Sequence, residues 1–127
     1  MNCRRFFIDD YEEICGWWVA HGWDAVPLEF LPMGFLVEKD GKKKCAGFLY
    51  RDVSAPFAML EWVVSNPENK GTESYRAIDR LLGEMVRFCE DNAIRAIYSK
   101  LVNKGLEKLY NKHGFASGEP VKDMVRI

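Results

Sequence analysis

Carboxylates and phenols are the side chains here best able to move a proton. Glu61 is the only charged residue in the run from Ala55 to Val64. Burial disfavours the charged form of such a lone carboxylate and raises its pKa toward the range where it takes a proton at neutral pH. Its plain alternative is a residue facing solvent from a half-exposed strand. The five tyrosines carry phenols that stay protonated at neutral pH, with an ordinary pKa near ~10, and any of them can act as an acid. For Tyr110 the plain reading is a helical tyrosine packed at a sheet edge. The remaining reactive types suggest less. Cys3, Cys15, Cys45 and Cys89 form no CxxC pair, and with His21 and His113 they give no zinc spacing, so no metal is expected. Lys39, Lys42, Lys43 and Lys44 flank a turn and read as a solvated tip, with a phosphate-bearing partner as the alternative. His113 lies beside Gly114, where a positive side chain suits a helix C-terminus.

These residues sit in 127 positions, 48% hydrophobic and 29% charged, which is one domain of ordinary globular composition, residues 1–127. Eighteen Lys and Arg face 19 Asp and Glu, and a net charge of −1 argues against nucleic-acid or anionic-membrane partners, which call for a basic surplus. No apolar run is long enough to span a membrane, and no signal-peptide core follows the first residues. Reduced thiols and a cytoplasmic location are the expectation.

The elements that must position Glu61 and Tyr110 are legible from periodicity. A strand is expected over residues 3–8. Asp9 then caps a helix, with Glu12 completing a capping box and Tyr11, Ile14, Cys15, Trp18 and Val19 on one face. Gly22 ends it, and residues 23–33, with Pro27 and Pro32, read as loop. Strands over 34–39 and 44–51 flank the turn dipeptide Asp40-Gly41. A third runs from Phe57 to Ser65 and stops at Asn66-Pro67. If it is regular, Leu60 and Trp62 share one face and Met59, Glu61 and Val63 the other. An amphipathic helix covers 74–91, with Tyr75, Ile78, Leu81, Leu82, Met85, Phe88 and Cys89 on its apolar side. A strand over 94–100, a short helix capped by Asn103 and closed by Gly114, and a last strand over 121–127 complete the order β-α-β-β-β-α-β-α-β. The fold class is α/β in the broad sense (α+β): a mixed, mostly antiparallel sheet of six or seven strands with helices on both faces.

This order, and the segment from Asn103 through Leu109-Tyr110-Asn111-Lys112-His113-Gly114-Phe115, resemble the GNAT family, the Gcn5-related N-acetyltransferases. The stretch from Leu60 to Asn66-Pro67-Glu68 is similar to the family's central strand and its ending. The likeness covers most of the chain and is strongest over residues 34–115. The chain also resembles small acetyltransferase-like proteins carried by bacteriophages.

The resemblance implies that the strands over 57–65 and 94–100 run parallel and splay apart, with acetyl-CoA in the opening. The main chain of Trp62, Val63 and Val64 would pair with its amides. Its pyrophosphate would rest on the loop of Lys70, Gly71, Thr72 and Ser74, where helix N-termini offer free donors. Asn103 would touch the pantetheine arm, besides capping its helix. Tyr110 would protonate the departing thiolate, and Glu61 would deprotonate the amine acceptor. The loop departs from the family's Arg/Gln-x-x-Gly-x-Gly/Ala pattern. Its basic position is Lys70, but Glu73 and Tyr75 replace the two glycines that let backbone approach phosphate. A carboxylate there repels a dianion, while Lys70 and Arg76 can supply charge-assisted contacts instead.

Two functions follow from the resemblance. The chain is an N-acetyltransferase acting on an amine of unknown identity, or it is a GNAT-shaped binding protein without catalysis, such as a phage factor acting on a host protein. The aromatics Trp17, Trp18, Trp23, Phe30 and Trp62 are numerous for this length. Those within residues 17–30 would line an acceptor pocket or a homodimer face.

Overall fold

The computed structural model describes residues 1–101 and 103–126. Four strands form an antiparallel meander: β1 (Asn2–Arg5), β2 (Met33–Lys39), β3 (Lys42–Arg51) and β4 (Phe57–Ser65). The long amphipathic helix α2 (Glu73–Asp91) then carries the chain across the sheet to β5 (Ala96–Ser99), which pairs parallel with β4. Spatial order follows chain order, β1 to β5. Asp40 and Gly41 both adopt positive φ, 53° and 77°, as a tight two-residue hairpin between twisted strands demands.

Alternation along the strands sends apolar side chains to both faces. Phe35, Val37, Cys45, Leu49 and Leu60 pack under Ala77, Ile78, Leu81, Leu82 and Met85 of α2. Leu109 and Tyr110 of the short helix α3 (Glu107–Lys112) join the same layer. On the opposite face Leu36, Ala46, Phe48 and Val64 meet Ile14, Trp17 and Trp18 of α1 (Tyr11–Ala20). The expected sheet with helices on both faces is found. Among the described residues no helix is long and apolar enough to cross a membrane.

Three expectations need correction. The first strand ends at Arg5 rather than at position 8, because the Asp10 carboxylate accepts the Phe7 N–H at 2.8 Å and folds Ile8–Asp10 into a 3-10 turn ahead of α1. Asp10, not Asp9, stands at the N-cap of α1, and its side chain makes no cap hydrogen bond to that helix. Second, residues 121–126 form no strand, and Ile127 lies outside the described residues. Val121, Met124 and Val125 find no face to bury against, Met124 being 92% exposed. The segment is tied down instead by an ion pair from Asp123 to Lys100 at 3.0 Å. The sheet therefore has five strands among the described residues, not six or seven, and the order ends at α3. Third, the lysine group is not uniformly solvated. Lys43 reaches Asp10 at 2.9 Å and Glu13 at 3.3 Å, and Lys44 reaches Glu73 at 2.9 Å, leaving Lys39 and Lys42 at the exposed tip.

Candidate active site

The site begins where β4 and β5 part. Their pairing runs from Phe57 opposite Ala96 to Leu60 opposite Ser99 and goes no further. Residues 61–65 of β4 keep β3 as a neighbour on one edge and have no strand partner on the other among the described residues. A cavity of about 570 Å³ opens at this point. Glu61, Trp62, Val63 and Val64 form one wall. Ser99, Lys100, Leu101, Asn103 and Tyr110 form the facing one.

A bulge in β4 shapes the first wall. Ala46 pairs with Val64 and Phe48 with Glu61, so Gly47 alone faces both Trp62 and Val63. The extra residue is Trp62, held at φ 61°, a conformation that costs a bulky side chain about 1–3 kcal/mol. The bulge resets the alternation. Val63 packs toward α2 on the side of Leu60, and no longer shares a face with Glu61 as a regular strand would require. Gly47 lets the layers approach, since a Cβ there would lie 3.0 Å from Leu81 and 3.3 Å from Val63. Trp62 is left 43% exposed, yet its position is held: Nε1 donates to Tyr50 Oη at 2.8 Å, and Tyr50 donates to the Phe30 carbonyl at 2.8 Å.

Glu61 is only 8% exposed, and its Oε1 has no hydrogen-bond partner among the described residues. Burial raises its carboxyl pKa, partly opposed by the attraction of Lys100. Tyr110 is buried on the α3 side with its ring edge-on to Phe115. Burial pushes its phenol up to about 12, offset in part by the Ser99 side chain, so it stays protonated. The two proton-handling residues picked from the sequence thus line one cavity.

The expected anion loop lies at one end. Gly71, Ser74 and Tyr75 line the cavity, whereas Lys70, Thr72 and Arg76 lie outside its wall. Ser74 and Tyr75 occupy the first turn of α2, where their N–H groups have no carbonyl four residues back within the helix. Glu73 folds back onto its own loop: Oε1 accepts from Lys70 N–H at 2.8 Å, and Oε2 pairs with Lys44 at 2.9 Å. These contacts hold its carboxyl below the usual range. Asn103 uses Oδ1 to cap the following 3-10 turn through Gly105 N–H at 2.9 Å, and the residue also lines the cavity. His113 is structural, its Nε2 lying 2.7 Å from Asp79 on α2.

Sequence reasoning does not single out His21, Asp24, Ser99, Lys100 or Asp123, all of which line the cavity. The aromatics of residues 17–30 are the one available signal: Trp23 lines this space, as does Trp18, which like Trp17 is also a core residue.

No family model and no curated protein matches the chain. Solved structures are similar throughout. A probable acetyltransferase superposes with a TM-score of 0.72 at 11% identity, over 100% of this chain and 97% of that one. Wild-type TTHA1254 from Thermus thermophilus gives 0.68 at 20% identity, again over 100% and 97%. The aminoglycoside N-acetyltransferase AAC(6')-Iy, in complex with a CoA-containing bisubstrate analog, gives 0.70 at 16% identity over 99% and 97%. A putative acetyltransferase from the GNAT family of Novosphingobium aromaticivorans gives 0.70 at 17% identity, over 91% of this chain and 52% of that one. The chain has the GNAT fold. The phage origin gains no support from these structures.

Proposed function

We propose that the protein is an N-acetyltransferase that moves an acetyl group from acetyl-CoA to an amine. The observation that carries this reading is Glu61 and Tyr110 on facing walls of one cleft, opened where β4 loses β5. The residues present fit the donor. The edge of residues 61–64 that faces away from β3 offers strand-like hydrogen bonds to an extended amide arm, and Ser74 and Tyr75 offer N–H groups and a helix dipole to phosphate. Lys70 and Arg76 add charge near that end, and Gly71 and Thr72 shape the turn. Acetyl-CoA supplies a thioester whose carbonyl carbon accepts a nucleophile. Glu61 takes a proton from the amine as the C–N bond forms. Tyr110 returns one to sulfur as the C–S bond breaks, leaving an amide and free CoA thiol.

A base with a raised pKa makes the rate climb with pH until the carboxyl has ionised. Glu61→Gln should lower turnover by about 10²-fold and remove this ascending limb below the pKa of the acceptor amine. CoA release measured from pH 5 to 9 checks it; a variant with the wild-type profile would strip Glu61 of the role.

One observation favours the other reading, a catalytically silent binding protein: the Glu73 carboxylate already occupies Lys70 N–H and Lys44. In the enzyme reading those donors become available to phosphate when the carboxylate is removed. Glu73→Gly should then tighten acetyl-CoA binding several-fold by calorimetry. Unchanged or weaker binding would place the phosphates elsewhere.

A further inference from the structure

Beyond Phe115 the chain forms no helix or strand through residue 126, and residues 116–126 are exposed. The segment nevertheless returns to the end of β5. Asp123 pairs with Lys100 at 3.0 Å, the one ion pair or side-chain hydrogen bond that residues 116–126 make among the described residues. Ala116, Ser117 and Pro120 line, with Lys104 and Asn111, a second cavity of about 630 Å³. Lys100, Tyr110 and Asp123 line both this cavity and the one between β4 and β5. The ion pair therefore stands where the two spaces meet.

Glu61 lines only the first of them, more than nine-tenths buried, with Oε1 unpartnered among the described residues. Lys100 attracts its carboxylate through both the main-chain N–H and the ammonium, and Asp123 repels it. The other titratable groups lining that cavity are His21 and Asp24 after α1, Tyr75 on α2 and Tyr110 on α3. From β3 the residue opposite Glu61 is the apolar Phe48. Lys100 is thus the one permanent cation among the described residues of the cavity wall. It stands between two carboxylates and pairs with the exposed one. Charges attract more strongly where water is excluded, so an ammonium turned inward would pair with Glu61 and make it a poorer base.

We propose that Asp123 is a positioning residue for Glu61: by pairing with the Lys100 ammonium it holds that cation outward, where the two cavities meet, and leaves the buried carboxyl free to take a proton from a ligand. The C-terminal segment is then part of the site rather than a loose end, although it adds no strand to the sheet. The use of Glu61 as a base rests on the acetyltransferase reading; the arrangement of the three charges does not.

The test reads Glu61 itself, in the intact protein without ligand. Its carboxyl carbon is followed by NMR of glutamate-labelled protein through a pH titration and assigned by its loss in Glu61→Gln. Asp123→Asn should move the titration to lower pH, and Asp123→Glu, which keeps the charge, should restore the wild-type curve. Lys100→Gln should move it to higher pH. In the Lys100→Gln background Asp123→Asn should have much less effect than it has alone, because the carboxylate acts through the ammonium. Melting temperature should hardly change in any of these, since an exposed ion pair adds little stability. In the enzyme, the ascending limb of CoA release should follow the same shift in Asp123→Asn, with acetyl-CoA affinity within a few-fold of wild type. A Glu61 titration unmoved by Asp123→Asn, or moved equally with and without Lys100, would overturn the inference. The expected shifts in a protein that releases no CoA with any amine would leave it standing and defeat the acetyltransferase reading.

Discussion

Tyr110→Phe should lower CoA release by about 10²–10⁴-fold while acetyl-CoA affinity stays within a few-fold of wild type. The substitution keeps the ring that packs edge-on to Phe115 and removes only the hydroxyl beside Ser99, so α3 keeps its seat on the sheet. Loss of one buried hydroxyl contact costs about 1 kcal/mol of stability, too little to confuse with unfolding. A phenol pushed up to about 12 yields its proton only to a strongly basic partner. A thiolate leaving in a cavity walled by Leu60, Leu101 and Leu106 is poorly solvated and becomes such a partner. The measurement is single-turnover CoA release next to calorimetric affinity. A variant with wild-type turnover would remove Tyr110 from the chemistry and leave it a packing residue.

The largest effect on stability is expected at Asp10. The residue is 3% exposed, and its carboxylate is held by Arg4 through two bonds of 2.9 Å, by Lys43 at 2.9 Å and by the Phe7 N–H. Arg4, foremost, keeps this carboxyl well below the usual range. Asp10→Ala leaves two cations facing each other with only Glu38 and Glu13 nearby, and unhooks the turn that starts α1. The cost should be about 3–5 kcal/mol, a fall in melting temperature on the order of 10–20 °C. The pH dependence has a definite sign. A carboxyl whose folded pKa is depressed stabilises fully above its unfolded pKa, about 3.9, and the benefit disappears as pH falls toward the folded value. Wild type should therefore lose stability steeply below about pH 4, and Asp10→Ala should lose less over the same interval. Parallel acid-denaturation slopes would show that the network contributes nothing to stability.

Much of this fold is legible in the sequence because its strongest patterns are local. The apolar stripe of α2 places that helix within one residue of its observed start, and the run Phe57–Ser65 coincides with β4. Asp40-Gly41 fixes the hairpin through its own backbone preference. What escapes depends on residues far apart in sequence or on main-chain strain. Arg4, Asp10 and Lys43 meet only after β1, α1 and β3 are assembled, so nothing nearby distinguishes Asp10 from Asp9. The same holds for Lys44 and Glu73. The bulge at Trp62 is invisible because Leu60-Glu61-Trp62-Val63 reads equally well as unbroken alternation, and the misplaced face of Val63 follows from that. The expected last strand rests on the valines at 121 and 125, but apolar residues make a strand only where a neighbouring edge and a buried face await them. Glu61 and Tyr110, which line one cavity, stand out in the sequence for the opposite reason: a single charge in an apolar run, and a tyrosine in a helix ending that resembles a known family's, are visible without tertiary context.

An acetyltransferase of this shape must seat acetyl-CoA in the cleft between β4 and β5. Isothermal calorimetry of the intact chain with acetyl-CoA tests this most directly. One site per chain, with affinity in the micromolar range and weakening as salt rises, is the predicted result, because phosphates at the start of α2 contribute a charge-dependent share. No heat of binding with acetyl-CoA at millimolar concentration, together with an unchanged melting temperature in its presence, would contradict it.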